Sequence, residues 1–287
     1  MTGLIDVGGG MKCAYSAGLY DYFMDNGIEF DYYLGVSAGS MNLLSYIAGE
    51  RGRNIKIYRS SAEGNEYLGF SNLIHSGAYM NYEKVGEDFY SDEGIDPFDF
   101  SAFFNSEKPF VICATEAVGA VTEYFDRSAM TDRKSILDII SASCCIPLVS
   151  KAIKINDKEY FDGGIVDPIP FRKAFDDGCD NIVVVLSAPA DQKREQVPGV
   201  NIIAPALLRE YPLLDDRIAD RPIIYNYLIR CIREYELKGR ALLLSPEEIS
   251  GATVLAKDRE VIDKLYDNGY RDGLNNIKEI QRLLEKN

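Results

Sequence analysis

A serine in a glycine-rich turn is the first residue of this sequence that could perform covalent chemistry. The segment Gly35-Val36-Ser37-Ala38-Gly39 follows a run that favours a strand and precedes a run that favours a helix. In a G-x-S-x-G turn the glycines permit a sharp bend. The serine oxygen is then held at a helix N-terminus, where free N–H groups favour negative charge. The pattern predicts Ser37 as a nucleophile supported by Gly35 and Gly39; the alternative is an ordinary glycine–serine loop.

A cluster of glycines near the N-terminus is the second candidate motif. Gly8, Gly9 and Gly10 stand between a strand pattern and a helix pattern, and Lys12 follows. Without side chains, such residues let backbone N–H groups point at an anion. A Walker phosphate loop needs a longer spacing before its lysine, and a dinucleotide loop needs a glycine where Cys13 stands. An oxyanion hole beside the serine explains the three glycines better.

The third motif is Asp162-Gly163-Gly164, which by itself is a strong turn signal. A serine nucleophile needs a base, and histidine is the usual one. The chain has a single histidine, His75, and a hydrolase triad in the order Ser, Asp, His requires the histidine after the acid. No histidine follows Asp162. Either the serine has no base or a carboxylate takes that role, and Asp162 is the candidate.

Taken in order, these motifs resemble those of the patatin-like phospholipases. The run from Ser141 to Pro147 and the hairpin pattern after it also match that family's approach to its Asp-Gly-Gly. The resemblance covers about Leu4 to Val185. It implies a three-layer α/β/α fold with a mostly parallel central sheet and a Ser–Asp dyad without histidine. Two positions depart from the family pattern, because Cys13 replaces a common glycine and Lys12 replaces a frequent arginine.

The resemblance implies a role for each motif residue. Ser37 would be the nucleophile and Asp162 the base, and Gly8, Gly9 and Gly10 would supply the oxyanion hole, which we expect the N–H of Ala38 to complete. Lys12, Gly35, Gly39, Gly163 and Gly164 would support them. We expect a hydrolase of lipid carboxylic esters, of phospholipase A, lysophospholipase or esterase type, that forms an acyl-serine and needs no metal or organic cofactor. An acyltransferase with the same acyl-serine and an idle lipid-binding protein on the same fold remain alternatives.

Short β-rich runs alternate with helical patterns, which independently predicts a largely parallel sheet with flanking helices. A hairpin is predicted between Ala152 and Phe161, with its turn at Asn156-Asp157. The predicted strands are Gly3–Val7, Asp31–Val36, Pro109–Thr115, Asn181–Ser187 and Ala241–Leu244. The predicted helices are Met11–Asn26, Ala38–Ala48, Asp132–Ser143, Phe171–Asp177, Ile223–Lys238, Lys257–Asn268 and Gly273–Glu285.

We divide the chain into a catalytic domain at residues 1–189 and a helical C-terminal extension at 190–287, packed on or next to it. Between Tyr67 and Phe104 the catalytic domain carries ten aromatic residues without a steady period. A segment of this kind, at about 60–106, is either a cap whose rings line an acyl channel or an irregular stretch anchored to the core by its rings. The sequence favours neither.

Composition limits the partners. A net charge of −14 and a pI of about 4.6 exclude the basic footprint that nucleic-acid binding needs. Anionic membranes are repelled too, so a lipid or ester substrate would arrive as monomer or micelle, or through transient contact with a local basic patch; protein partners stay open. The residues that could form such a patch, or simply a solvated face, are Arg133, Lys134, Lys151, Lys154 and Lys158.

The start of the chain lacks the basic and apolar pattern of a secretory signal, and no apolar run approaches the roughly 18 residues of a membrane span. These patterns predict a cytoplasmic location. With six cysteines, no C-x-x-C pair and one histidine, we expect reduced thiols and no zinc site.

Overall fold

The computed structural model describes residues 1–63, 67, 72, 81–196, 198–199, 204–205, 208–249, 251, 253–254 and 258–285. Within these residues the strands form one eight-stranded sheet in the order β5-β6-β3-β2-β1-β7-β8, with β4 also paired to β3. Strands β3, β2, β1, β7 and β8 run parallel, and β4, β5 and β6 are antiparallel to their neighbours. The strands are β1 (Thr2–Asp6), β2 (Tyr32–Val36), β3 (Phe110–Glu116), β4 (Val121–Phe125), β5 (Ile153–Ile155), β6 (Lys158–Asp162), β7 (Asn181–Val185) and β8 (Ala241–Leu244).

Helices cover both faces of this sheet, as predicted. Parallel strands that are covered on both faces are buried along their whole length, which is why β1, β2 and β7 are fully buried. Neighbouring residues point to opposite faces: Leu4, Tyr33 and Val183 to one, and Ile5, Leu34 and Val184 to the other. The helices are α1 (Ala14–Asp25), α2 (Ala38–Ile47), α3 (Arg53–Glu63), α4 (Tyr82–Tyr90), α5 (Phe100–Asn105), α6 (Arg133–Cys144), α7 (Phe171–Asp176), α8 (Pro212–Leu237) and α9 (Arg259–Glu285).

The predicted strands and the hairpin agree with the structure to within two residues, and Asn156 takes the positive φ of 54° that its turn requires. Strand β4 was not predicted. It pairs only with β3, and most of its side chains are half-buried or exposed, so its sequence lacks the continuous apolar pattern of the central strands.

The two helices predicted at the end of the chain are wrong, because α9 is continuous. The predicted helices ended at Asn268 and began again at Gly273, but Gly269 and Gly273 both lie inside α9 against α1. A Cβ on Gly269 would stand 1.8 Å from the Tyr15 carbonyl oxygen, and one on Gly273 would stand 2.5 Å from the Tyr22 ring. The glycines are therefore positions of close helix contact rather than helix ends.

The predicted start of α8 at Ile223 is also wrong. The helix begins at Pro212 and continues through Pro222. Proline is most common in the first turn of a helix, whereas Pro222 lies inside α8. Past residue 189, β8 pairs with β7 and α9 packs on α1, so the C-terminal residues share the sheet and core of the preceding ones. The domain boundary itself stays a prediction.

The aromatic segment contains α4 and α5, each begun by a side-chain cap. Asn81 accepts a hydrogen bond from the Lys84 N–H (3.0 Å), and Asp99 accepts one from the Ala102 N–H (2.9 Å). Several of its rings are buried in the main core, which favours the anchoring interpretation for them: Phe89, Tyr90, Phe98 and Phe103. His75, Phe70 and Tyr79 lie outside the described residues.

Among the helices that the structure describes, none has both the length and the apolar character needed to cross a membrane. The described side chains contain no group of three or more His, Cys, Asp or Glu residues arranged to hold a metal ion. All six cysteines are free thiols.

Candidate active site

The register of the sheet brings the serine and aspartate motifs together. Cys113 on β3 pairs with Val36 at the end of β2, and the next residue, Ala114, pairs with Asp162 at the end of β6. Strand β4 occupies the opposite edge of β3 at both positions. Strands β2 and β6 therefore lie along the same edge of β3, β2 beside residues 110–113 and β6 beside residues 114–116, so that their ends meet. Ser37, which follows Val36, lies beside Asp162 as a result.

Ser37 sits in a sharp turn between β2 and α2, with φ of 54° and ψ of −136°. A non-glycine residue rarely adopts such angles, and the strain they store is typical of functional sites. The flanking glycines are required by close contacts. A Cβ on Gly35 would stand 2.5 Å from the Ser40 Cα, and a Cβ on Gly39 would stand 2.5 Å from the Asp6 carboxylate. The turn leaves Ser37 8% exposed.

Two other serines hold this turn. The Ser37 N–H donates to Ser143 Oγ (2.8 Å), and Ser143 Oγ in turn donates to the Cys113 carbonyl (2.6 Å). Ser40 Oγ donates to the Ser37 carbonyl (2.6 Å). Ser143 is fully buried on α6 and links the nucleophile turn to β3. The sequence showed Ser143 only as part of a family-like run, without this role.

Replacing Ser143 by alanine is expected to weaken both the fold and the nucleophile. The change leaves the buried Ser37 N–H and Cys113 carbonyl without their partner, which costs about 1–3 kcal/mol. Urea denaturation measures the loss, and the rate of serine labelling measures the effect on Ser37. Ser45→Ala is the matched control. Ser45 Oγ makes only a weak bond to the Met41 carbonyl (3.4 Å), and both of these residues lie on α2. Equal stability of the two variants would contradict the bridging role.

Asp162 is held from several directions. Its N–H donates to the Cys145 carbonyl (2.8 Å), its carbonyl accepts from Thr115 Oγ1 (2.9 Å), and its carboxylate accepts the Gly164 N–H (2.8 Å). Burial raises the pKa of the Asp162 carboxyl above its ordinary 3.8, while a hydrogen bond from the Ser37 hydroxyl and the charge of Arg221 oppose the rise. A carboxylate with a raised pKa, bonded to a serine hydroxyl, is a stronger base than an exposed one.

The glycine loop passes directly over the nucleophile turn. A Cβ on Gly8 would stand 2.2 Å from the Val36 carbonyl oxygen, and Gly8, Gly9 and Gly10 all have positive φ. The Gly8 N–H donates to the Asp6 carboxylate (3.0 Å). This bond corrects the prediction for Gly8, whose N–H is not available to an oxyanion. The N–H groups of Gly9 and Gly10 have no acceptor among the described residues.

Asp6 is a buried residue that the sequence analysis missed. Its carboxylate accepts the Gly8 N–H and the Tyr20 hydroxyl (2.9 Å), and it lies directly against Gly39. Burial raises the pKa of Asp6, and the hydrogen bonds from Gly8, Ser16 and Tyr20 oppose the rise. Asp6 therefore ties the glycine loop to the start of α2. A lone acid inside an apolar strand was the signal that could have found it.

The supporting glycines and Lys12 also meet at this site. A Cβ on Gly163 would stand 2.3 Å from the Cys113 carbonyl oxygen, so the turn after Asp162 packs directly on β3. Lys12 is only 6% exposed, and its Cε lies 3.5 Å from the position of a Cβ on Gly9. Burial lowers the pKa of Lys12 from 10.5 to about 8, and the charge of Arg194 acts in the same direction.

Comparison with known proteins agrees with this geometry. The sequence pattern of the family described as patatin-like phospholipase matches residues 7–175, more than half of the chain. The chain belongs to the patatin-like phospholipase family. A second pattern, described as a domain of unknown function (DUF6363), matches residues 211–285 of this patatin-like protein.

Two individual relatives extend the comparison. The chain is 29% identical over 189 residues to YjjU of Escherichia coli K12, described as uncharacterized, and the match covers 65% of this chain and 52% of YjjU. The chain thus spans about half the length of that curated relative. The crystal structure of VipD from Legionella pneumophila aligns with 98% of this chain and 67% of VipD, with a TM-score of 0.50 and 12% identity. That similarity concerns the fold alone.

An apolar cavity of about 50 Å³ opens beside the nucleophile of this patatin-like site. One wall includes Cys144, the neighbour of Ser143, whose Oγ accepts the Ser37 N–H. The opposite wall is α4 of the aromatic segment. The lining residues are Met41, Val85, Gly86, Tyr90, Leu137, Ile140, Ser141 and Cys144. Ligand pockets are usually some 300 Å³ or larger, so this cavity as it stands is too small for a long acyl chain.

The predicted basic patch is largely neutralised. Arg133 pairs with Asp92, Lys134 with Asp138 and Lys158 with Glu123, while Lys151 and Lys154 are exposed. Surface ion pairs of this kind contribute little energy, but they remove the excess positive charge that would attract an anionic surface. The solvated-face interpretation explains these five residues better.

Proposed function

We propose that this protein is a serine acyl hydrolase that cleaves lipid carboxylic esters through a Ser37–Asp162 dyad. The observation that carries the proposal is the position of a strained, positive-φ serine next to a carboxylate, which the register of β3 brings together at the ends of β2 and β6. Membership of the patatin-like phospholipase family supports the substrate class. No histidine is assigned a role.

The geometry supports a two-step mechanism. Asp162 accepts the hydroxyl proton of Ser37 while Ser37 Oγ attacks the ester carbonyl carbon. The carbonyl oxygen becomes an oxyanion, which the N–H groups of Gly9, Gly10 and Ala38 stabilise. Collapse of this intermediate expels the alcohol, which takes the proton from Asp162, and leaves an acyl-serine. Asp162 then removes a proton from water, and the water oxygen attacks the acyl-serine. The bond between the acyl group and Ser37 Oγ breaks, Asp162 returns its proton to Ser37 Oγ, and the fatty acid leaves.

Preorganised donors carry much of the rate in this mechanism, since even a buried carboxylate is a modest base. A single oxyanion donor is worth about 3 kcal/mol in comparable enzymes. Lys12 adds a positive charge close to Gly9. Gly8 contributes through position rather than donation, because its N–H is bonded to Asp6.

The most direct test is reaction with a fluorophosphonate probe. The native protein should be labelled on Ser37, as mapped by peptide mass spectrometry, and the heat-denatured protein should not be labelled. Absence of labelling in the native state would favour the idle lipid-binding alternative. Product analysis in the presence of an added alcohol separates hydrolase from acyltransferase: a hydrolase releases mainly free fatty acid, and an acyltransferase releases mainly the new ester.

The cavity beside Cys144 is expected to receive the acyl chain, and Gly86 tests this. A Cβ on Gly86 would meet nothing within 4 Å, so leucine fits on α4 and fills space that the chain needs. Gly86→Leu should lower kcat/KM about ten-fold or more for a dodecanoate p-nitrophenyl ester and leave the acetate ester nearly unchanged. Gly86→Ala is the matched control. An equal loss for both esters would indicate that α4 only anchors the segment.

A further inference from the structure

Three basic side chains surround the dyad, and two of them come from beyond residue 189. Arg221 on α8 donates from Nε to the Gly164 carbonyl (2.5 Å), and the Gly164 N–H binds the Asp162 carboxylate. Arg194 follows β7, and its guanidinium lies over the ring of Tyr225, one turn of α8 after Arg221; its charge also lowers the pKa of Lys12. Lys12 itself lies beside the glycine loop. The three cations therefore converge on the site where Ser37 and Asp162 meet.

Among the described residues these cations form no ion pair with a carboxylate, although the protein is strongly acidic and the charge of Arg221 acts on Asp162. The chain has 45 acidic and 31 basic residues, and other cations pair readily, as Arg51 does with Asp25 (2.6 Å). Within the described part of the chain, no ion pair involves Lys12, Arg194 or Arg221. Like charges held together near a buried site repel one another. An anionic ligand would relieve that repulsion.

Helix α8 holds both arginines in place. The Arg194 N–H donates to Asn226 Oδ1 and the Arg194 carbonyl accepts from Asn226 Nδ2, both at 2.9 Å. The Arg194 guanidinium lies 4.8 Å from the centre of the Tyr225 ring. Arg221 is fixed by its bond to Gly164. A guanidinium that is already oriented loses less entropy when it binds an anion, and its planar fork matches phosphate oxygens.

We propose that Arg194 and Arg221, together with Lys12, bind a phosphate group carried by the ester substrate. The region after residue 189 thereby completes the active site and selects anionic lipids over neutral ones. This inference rests on the proposed function and extends it, because Arg194 and Arg221 lie outside the residues that match the patatin-like family. A phosphate uses three cations better than a carboxylate does, since it carries more charge and more acceptor oxygens.

The test compares two lipids that differ only in the phosphate, monooleoylglycerol and monooleoylglycerol phosphate. The ratio of their kcat/KM values is measured for the wild type, Arg194→Gln, Arg221→Gln and the double variant. Each single change should lower the preference for the phosphorylated lipid about ten- to hundred-fold. Arg217→Gln is the matched control, because Arg217 also lies on α8 and donates to a backbone carbonyl, that of Ala120 (3.2 Å). The control should keep the wild-type ratio.

Two more measurements distinguish a lipid phosphate from free phosphate, and a failed subsite from a failed function. The proposal is overturned if the ratio of the two kcat/KM values is unchanged in Arg194→Gln and in the double variant. Inhibition of hydrolysis by inorganic phosphate would in that case indicate a site for free phosphate. If the wild type hydrolyses neither lipid, the proposed function fails and binding decides the inference instead. Calorimetry with Ser37→Ala should then show monooleoylglycerol phosphate binding that Arg194→Gln weakens about ten-fold or more. Equal affinity in both proteins would overturn the subsite.

Discussion

Ser37→Ala should lower kcat/KM for a medium-chain p-nitrophenyl ester by about 10⁴-fold or more and abolish fluorophosphonate labelling. The hydroxyl oxygen is the atom that forms the acyl bond in the proposed mechanism, and no neighbouring group replaces it. Ser40 and Ser143 are close, but both hydroxyls are used to hold backbone atoms of the turn. Alanine also has no side-chain donor for the Asp162 carboxylate.

The fold should tolerate this change, because the turn is held through the backbone N–H and carbonyl of Ser37, which alanine keeps. Circular dichroism and urea denaturation check this. Ser45→Ala, on the helix α2 that follows Ser37, should keep wild-type turnover. Substantial ester hydrolysis by folded Ser37→Ala, with labelling at another residue, would contradict the assignment of the nucleophile.

Asp162→Asn should lower kcat/KM by about 10³- to 10⁴-fold, because asparagine keeps the shape of the side chain but cannot accept the serine proton. The Gly164 N–H still finds an oxygen acceptor. The double variant with Ser37→Ala should be no worse than Ser37→Ala alone, since the two groups act as one unit. Near-wild-type turnover by Asp162→Asn would make Asp162 a turn residue only.

The same residue predicts the pH dependence. The ionised carboxylate is the active form, so kcat/KM should fall as the pH drops through the pKa of Asp162 in the folded protein. Burial raises that pKa above 3.8, which places the acid limb at higher pH than for an exposed aspartate. His75→Gln should leave both turnover and this limb unchanged. An inactive, folded His75→Gln variant whose activity does not return at high pH would restore a histidine-based mechanism.

Stability gives an independent check on Asp162. A folded-state pKa above the unfolded one means that the folded protein holds the proton more tightly, so ionised Asp162 destabilises the fold once the pH exceeds the unfolded pKa. Asparagine removes that penalty near neutral pH. Asp162→Asn should therefore have a Tm equal to or above that of the wild type at pH 7, even though it is inactive. A large drop in Tm would show that the charge stabilises the fold.

The sequence by itself determined the α/β class, the central strands, and the two motifs that contain Ser37 and Asp162. These features are local. A buried parallel strand needs a continuous apolar run, and a tight turn at a strand end needs glycine where a Cβ would collide, as at Gly35 and Gly39. Both requirements are visible in a few consecutive residues. The absence of a histidine after residue 75 was equally direct.

The tertiary structure decided the features that depend on distant partners. Ser143 gains its role from Cys113 and Ser37, which lie 30 and 106 residues away in sequence. Gly8 lost its predicted role because Asp6 takes its N–H, which only the path of the loop reveals. Gly269 proved to be a contact with α1 rather than a helix end.

Arg194 and Arg221 show most clearly that the sequence does not reveal which distant residues meet. In the sequence Arg194 and Arg221 are ordinary members of a charged C-terminal region, separated from the dyad motifs by tens of residues. The contact of Arg221 with Gly164 and of Arg194 with Tyr225 follows from the packing of α8 on one face of the sheet. Local patterns report the backbone conformation and burial of a residue. Which charges meet at a site depends on how the separate elements pack in three dimensions, and the sequence of each element alone does not contain that information.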